Sequence, residues 1–293
     1  MTVVWELLKD TFSQWQEDNA ARLAAALSFY TIFSLSPLLI LIIAGVSLVW
    51  DQAAVEGQVL AEIEALVGQE GAAFIEGLIE RRQGGASGVV GTAVGVVTLL
   101  LGATGALTQL KAAMNRVWDV TEVPVEGFLG MVRSRLVSFA MVLGIGFLLL
   151  VSLVLNAGLT ALGETLQDLL PASVALLYVL NTALSLLVTS LLFAMVFKVL
   201  PDAEIAWGDV VVGAVVTAVL FSVGKFLIGL YLGRSGVTSA YGAAGALILI
   251  LLWIYYSTQI MFMGAEFTEV YARRFGSRIT AVAEAEDAEG TAA

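Results

Sequence analysis

Apolar residues fill six long runs of this chain, and each run is long enough to cross a lipid bilayer. The runs cover residues 23–50, 83–110, 136–163, 169–197, 210–233 and 235–265. Within them, Lys225 is the only Asp, Glu, Lys or Arg residue. An α-helix rises about 1.5 Å per residue and needs about 20 apolar residues to cross the hydrocarbon core, whereas barrel strands would alternate polar and apolar positions. The pattern therefore predicts an all-α, polytopic membrane protein with six transmembrane helices.

The six helices are predicted to form a single membrane domain over residues 1–275. Their spans are predicted at about 28–50, 88–110, 136–160, 174–197, 210–232 and 242–265. An acidic tail rich in Ala, Gly and Thr follows over residues 276–293. The tail has too few apolar residues to pack, so we expect it to be disordered.

An amphipathic helix is predicted before the first span, over residues 3–22. Apolar side chains recur at helical spacing on one side of it, at Val4, Leu8, Phe12, Trp15 and Leu23. The opposite side carries charged and amide side chains, and the Trp residues favour the headgroup zone of a bilayer. Two interpretations fit this pattern: the helix lies along the inner membrane surface, or its apolar side packs against the helix bundle.

The loop between the first two spans, residues 52–84, also shows a helical pattern. Its apolar stripe consists of Val55, Val59, Ile63, Leu66, Phe74, Leu78 and Ile79. Gly68 and Gly71 interrupt the stripe, and glycine weakens a helix. We therefore predict two short helices joined at these glycines, an external helical hairpin that covers part of the outer mouth.

Basic residues set the predicted orientation. Ten of the 14 Lys and Arg residues fall on the side that holds both termini, and basic residues near span ends favour the cytoplasm. Both termini are therefore predicted to be cytoplasmic. The formal net charge of −11 makes the chain a poor ligand for polyanions, so nucleic acid is not an expected partner. The expected partners are the lipid bilayer and a small solute or ion, and an oligomer is compatible with the sequence.

The residue inventory argues against catalysis. The chain has no Cys and no His, which excludes disulfides, cysteine nucleophiles and a Ser-His-Asp triad. Gly224-Lys225 lacks both the upstream glycine and the following Ser or Thr of a phosphate-binding loop. We predict that the protein is not an enzyme and that it holds neither a cofactor nor a metal ion.

Charged residues at membrane depth are costly and are therefore candidates for function. Lys225 is a candidate contact for an anionic solute; alternatively, its ammonium group reaches outward to the membrane surface or pairs with a neighbouring carbonyl. Glu266, near the inner end of the sixth span, is a candidate carboxylate for coupling to protons or cations. The alternative role for Glu266 is an interfacial ion pair with Arg273, Arg22 or Arg116.

Uncharged polar residues in the spans form a second set of candidates. Asn156, Asn181 and Gln259 are candidate solute or ion contacts, although hydrogen bonding between helices is the simpler role for such residues. A further polar set at the inner surface is predicted to form a network that gates or locks the cytoplasmic side: Asp18, Arg22, Asn115, Arg116 and Asp202.

Several segments together resemble the YihY/BrkB family of inner-membrane proteins. They are Ala24–Tyr30 followed by Phe33–Leu38, Leu110–Trp118, Leu200–Asp202, Tyr241–Gly245 and Gly264–Glu266. The resemblance covers about residues 5–275 in the family's order. It implies six spanning helices in the inner (cell) membrane with cytoplasmic termini. It also implies a link to serum resistance and transport, and to a former ribonuclease BN label.

The leading functional hypothesis is a membrane permease or exporter for a small solute or ion, with its site among spans two, five and six. In this hypothesis, Lys225 contacts the solute or its counter-ion, and the inner polar network is the gate. The alternative is a non-transporting envelope scaffold that organises lipid or a partner protein.

Overall fold

The structure is a computed structural model that describes residues 2–46, 51–84, 105–120, 144, 148, 151, 173–234, 244–276 and 280–281. Its helices with defined bounds are α1 (Thr2–Glu17), α2 (Ala20–Val46), α3 (Gln52–Gly84), α4 (Ser173–Val199), α5 (Trp207–Arg234) and α6 (Gly245–Phe275). Residues 105–117 are helical as well. Two short strands, β1 (Ala203–Glu204) and β2 (Thr280–Ala281), pair antiparallel. The prediction of an all-helical protein is therefore confirmed for the described part of the chain.

Three segments among the described residues are long and apolar enough to cross a membrane. They are Val179–Val199 in α4, Trp207–Tyr231 in α5 and Gly245–Phe275 in α6. These segments match the fourth, fifth and sixth predicted spans, and α2 covers most of the first. The spans predicted at 88–110 and 136–160, and most of the tail at 276–293, lie outside the described residues.

A two-residue turn separates α1 from α2. Asn19 has a left-handed backbone conformation with φ of 54°, which asparagine tolerates better than most residues. The Asp18 N–H donates to the Gln14 carbonyl at 2.9 Å as α1 ends. The Arg22 N–H donates to the Asn19 carbonyl at 2.8 Å as α2 begins. The N-terminal helix is thus shorter than the one predicted over residues 3–22.

α3 contains a break at Gly68, one of the two glycines that interrupt its apolar stripe. The φ of 81° and ψ of 171° at Gly68 lie in a region that is essentially restricted to glycine, because a Cβ atom would clash with the backbone. Apolar side chains on both sides of the break pack with α2 and α6 in one core. This core consists of Val55, Val67, Ile75 and Ile79 with Leu39, Ile43, Ile250 and Ile254.

The chain divides into two compact units. The first comprises Met1–Thr11, Met114–Leu220 and Gly264–Ala293, and the second comprises Phe12–Ala113 and Phe221–Met263. The boundaries cut α1, α5 and α6, so each of these helices contributes to both units. The core around α3 belongs to the second unit.

The first unit has its own core where α4 ends and α5 begins. Trp118, Phe197, Ile205 and Val210 are almost completely buried there. β1 lies in the same connection between α4 and α5, and it pairs with β2, which follows α6. This end of the first unit therefore brings together segments that are far apart in the sequence, and it also carries most of the polar contacts described next.

Candidate functional site

Asn115 and Asp202, two of the predicted gate residues, bind each other directly. Asn115 Nδ2 donates to Asp202 Oδ2 at 3.0 Å, and the Asp202 backbone N–H donates to Asn115 Oδ1 at 2.8 Å. Asn115 is buried, and a buried amide needs such partners to offset its lost hydration. The pair ties the C-terminal end of the helical segment 105–117 to the loop between α4 and α5.

Arg273, in the last turn of α6, bridges two carboxylates of very different exposure. Its guanidinium pairs with Glu269, one turn earlier on the same helix, and its Nη2 lies 3.5 Å from Asp119 Oδ2. The Glu269 side chain is 2% exposed, whereas that of Asp119 is 82% exposed. A buried carboxylate is tolerated only with a cation or strong donors beside it. Arg273 therefore connects a buried charge to the exposed surface.

Arg274 pairs with two carboxylates of α1. Its Nη2 lies 3.3 Å from Glu6 Oε2 and 3.2 Å from Asp10 Oδ2. Glu6 and Asp10 are four residues apart, so they lie on the same side of α1 and reach the same arginine. These contacts hold the first half of α1 against the C-terminal end of α6.

Glu266 is buried on α6, three residues before Glu269. Residues at this spacing are neighbours on a helix surface, so α6 presents two carboxylates on one buried stripe. We call the whole set the polar end of the first unit. It consists of Glu6, Asp10, Asn115, Asp119, Asp202, Glu266, Glu269, Arg273 and Arg274.

α5 and α6 approach each other closely beside the two buried glutamates. A Cβ atom added to Gly213 of α5 would overlap the Thr268 hydroxyl of α6. Reciprocally, a Cβ atom added to Gly264 of α6 would overlap the Thr217 hydroxyl of α5. Each threonine hydroxyl donates, at 2.6 Å, to the carbonyl of the glycine four residues earlier on its own helix. Small residues allow such close approach in membranes, and the contact fixes α6 against α5 at the level of the glutamates.

The predicted solute contacts within the spans are not part of the polar end. Lys225 and Asn181 are exposed, and Gln259 is partly buried in the second unit. Asn156 lies outside the described residues. The roles proposed for these residues therefore remain predictions.

The predicted gate residues are divided between the two units. Asn115, Arg116 and Asp202 belong to the first unit, where Arg116 is exposed. Asp18 and Arg22 belong to the second. Within the predicted network, the structure joins Asn115 and Asp202 directly.

The polar end offers carboxylate, guanidinium and amide groups. A carboxylate that is paired with an arginine can exchange that partner for a proton or another cation, since all three positive charges compete for it. Among the described residues, no group of three or more His, Cys, Asp or Glu is placed to hold a metal ion. The carboxylate and guanidinium groups present can form ion pairs and exchange protons.

Known sequences place this chain in a family. The family described as "Virulence factor BrkB" matches residues 11–289. The chain belongs to the BrkB family.

Relatives of this BrkB-family protein include named membrane proteins. It is 30% identical to a UPF0761 membrane protein of Ralstonia nicotianae, over 85% of this chain and 55% of that protein. It is 26% identical to a UPF0761 membrane protein of Teredinibacter turnerae, over 95% of this chain and 63% of that protein. The chain thus spans between half and two thirds of the length of these two curated relatives.

A shorter relative carries a different kind of name. A Bacillus subtilis protein named as ribonuclease-like is 23% identical, over 91% of this chain and 95% of that protein. No solved structure matches the chain. The relatives therefore support a membrane protein of the BrkB family and give no fold beyond the one described above.

The site residues predicted from the sequence of this BrkB-family chain leave out two features of the polar end, Glu269 and the pairing of Arg274 with α1. Glu269 does have a sequence signal, because it lies three residues after Glu266 and four before Arg273, so all three share one side of a helix. The pairing of Arg274 with α1 has no local signal. It joins residues near opposite ends of the chain and becomes visible only once the helices are packed.

Proposed function

We propose that this BrkB-family protein is a transporter, a permease or exporter, for a small solute or ion in the cell membrane. The proposal includes six transmembrane helices and two cytoplasmic termini. The apolar segments in α4, α5 and α6 support it, as do the three earlier apolar runs of the sequence. In this arrangement, the polar end of the first unit faces the cytoplasm.

Two buried carboxylates inside a helix that can cross the membrane carry the proposal. Glu266 and Glu269 are each about 1% exposed in the segment Gly245–Phe275. At about 1.5 Å per residue, α6 extends about 46 Å, longer than the ~30 Å hydrocarbon core. Glu266 lies about 32 Å along α6 from Gly245, so with Gly245 at the outer boundary the proposal has Glu266 near the inner one. Ionisable residues inside membrane helices commonly mark ion or proton pathways.

The polar end provides a stepwise route for a proton or cation. Asp119 is exposed, and Arg273 links it to the buried Glu269. Protonation of Glu269 would weaken its attraction for Arg273, which would then turn toward Asp119. Exposed ion pairs such as Arg273–Asp119 contribute about 0–1 kcal/mol, so the exchange depends on protonation of Glu269 to release Arg273. Glu266 is then the coupling carboxylate behind the exchange.

The paired hydrogen bonds between Asn115 and Asp202 serve as the gate in this proposal. They join the segment 105–117 to the loop before α5. Alternating access requires such contacts to break and re-form as the cytoplasmic side opens and closes. The close contact of α5 with α6 lets these two helices move as one body.

Water accessibility tests the proposal without knowledge of the solute. Because the chain has no cysteine, single cysteines can be placed along 215–231 of α5 and 245–256 of α6 in the full-length protein. A transporter should show reaction with a water-soluble thiol reagent on one helical face at membrane depth. Glu266→Gln should change these rates at least threefold, because it shifts the balance between open and closed states. Lys225→Met removes the candidate solute contact and, in the absence of solute, should leave these rates unchanged.

Uniform protection of all these cysteines would contradict a transport path. Rates that respond to Lys225→Met but not to Glu266→Gln would remove Glu266 as the coupling residue. They would instead restore Lys225 as the predicted contact for solute.

A second candidate function, a scaffold that organises lipid or a partner protein, is favoured by the exposure of Lys225. Its neighbours Val223 and Phe226 are exposed apolar residues on other sides of the same turn, so this part of α5 can meet lipid with the ammonium group reaching toward the headgroups. The scaffold predicts uniform protection in the same experiment.

The proposal includes no catalysis and no nucleic acid. The chain lacks His and Cys and has a net charge of −11, which opposes both a histidine-based nuclease and binding to a polyanion. The ribonuclease-like name belongs to the Bacillus subtilis relative. The proposed partners are the lipid bilayer and a small solute or ion, with an oligomer compatible with these surfaces.

A further inference from the structure

We propose that α1 is an interfacial helix that rests on the bilayer. Its exposed apolar stripe lies in lipid at the boundary between headgroups and acyl chains, and Arg274 holds the helix to the end of α6. The stripe consists of Val4, Trp5, Leu8 and Phe12. This proposal does not depend on transport.

α1 has a side that packs on protein and a side that does not. Leu7 and Thr11 are 8% and 2% exposed, respectively, so they face the first unit. The four stripe residues are between 50% and 70% exposed. At about 100° per residue, they fall within an arc of about 100° beside the buried side. These four large apolar side chains of α1 are thus left uncovered along one continuous strip.

A third side of α1 is suited to water. Lys9, Ser13 and Gln16 follow the stripe around the helix, away from the buried side, and all three are exposed. The order around the helix is therefore protein, apolar and uncovered, then polar. A helix lying in a membrane surface beside a transmembrane bundle requires this order.

The position of α1 in the first unit puts the stripe at a membrane boundary. Trp207 begins α5 and Phe275 ends α6, and both side chains are exposed. Gly276 lies against the Asp209 carboxylate, so these two helix ends share one level. Aromatic residues favour the interfacial zone. Arg274 precedes Phe275 and pairs with α1, so α1 lies at the same level.

The charges of α1 are arranged to favour lipid over a protein partner. Glu6 and Asp10 turn to Arg274, which leaves the stripe without a charge. Like the stripe, α5 carries exposed apolar side chains, Val211 and Val215, in a segment that can cross the membrane. An uncharged strip beside an exposed transmembrane face matches the hydrocarbon boundary of a bilayer.

Single cysteines in the full-length protein test the proposal. Leu8→Cys on the stripe and Ser13→Cys on the polar side would each carry a bimane label in nanodiscs of phosphatidylethanolamine and phosphatidylglycerol. Brominated lipid should quench the label at Leu8 at least twofold and leave the label at Ser13 unchanged. A charged maleimide should react at least tenfold faster at Ser13 than at Leu8.

Two results would overturn the proposal. Equal maleimide rates at the two positions would place the stripe in water. Slow reaction at Leu8 without quenching by brominated lipid would show that protein covers the stripe. Phe12→Cys provides a second stripe position, with the same expected results, if Leu8→Cys lowers the melting temperature.

Discussion

Amide and charged side chains have opposite surroundings in two regions of the helices. At the polar end of the first unit, Asn115 and Glu269 are buried and have specific partners. On α4 and α5, Asn181 and Lys225 are exposed. Burial of a polar group in protein costs free energy unless a partner replaces water, whereas an exposed polar group on a spanning helix has to be solvated by headgroups, water or another helix. Residue type therefore suggests which residues could belong to a functional site. Burial with a specific partner distinguishes the stronger of these candidates from the weaker ones.

Removing the Arg273 side chain should lower the stability of the protein the most. Arg273→Met leaves the buried Glu269 without this cation; because Arg273 itself is half-exposed, the loss should cost up to about 3 kcal/mol, the lower end of the range for a buried pair. Arg274→Met is the matched control, because its partners Glu6 and Asp10 are about half-exposed and can be hydrated. It should cost about 0.5 kcal/mol. Thermal unfolding in detergent, followed by tryptophan fluorescence, measures both.

The double variant Arg273→Met/Glu269→Gln sharpens the test. Neutralising Glu269 removes the uncompensated charge, so most of the lost stability should return. If Arg273→Met and Arg274→Met lower the melting temperature equally, Arg273 does not stabilise a buried charge.

A larger side chain at the close contact between α5 and α6 should have the next largest effect on stability. Gly213→Ala places a methyl group into the Thr268 side chain, only 2.6 Å from its Cβ. Such overpacking costs about 2 kcal/mol. Gly208→Ala, on the same helix, meets nothing within 4 Å. It should be neutral or stabilising by up to ~1 kcal/mol, because alanine favours the helix.

The melting temperature should therefore fall for Gly213→Ala and stay the same or rise for Gly208→Ala. If Gly213→Ala is as stable as Gly208→Ala, the two helices do not need their close contact. The level of Glu266 and Glu269 would then not be fixed by it.

The sequence predicts the elements of this fold better than it predicts their contacts. Runs of apolar residues indicate α4, α5 and α6 because long uncharged helices have few alternatives to a membrane. The break at Gly68 is predictable because glycine is the residue that tolerates its backbone angles. The turn at Asn19 was not predicted, since the amphipathic pattern continues across it into the first span.

Sequence reasoning recovers part of the polar end. Asn115 and Asp202 were both predicted in the gate set, and the structure joins them. The sequence indicates that both residues lie near one membrane face, but it does not indicate that they pair. The contacts of Arg274 with α1 depend on tertiary packing between residues distant in sequence. No local pattern encodes them.

The smallest expected effect comes from comparing two asparagines, one buried and one exposed. Asn115→Ala removes two hydrogen bonds and leaves the Asp202 N–H without this acceptor, which should cost about 1.5 kcal/mol. Asn181→Ala, at an exposed position on a helix that can span the membrane, should change stability by less than ~0.5 kcal/mol. Both substitutions remove the same amide, so thermal unfolding isolates the effect of burial. Equal losses would mean that Asn181 has a partner of comparable strength. The exposed surface of α4 would then have to be treated as an interface.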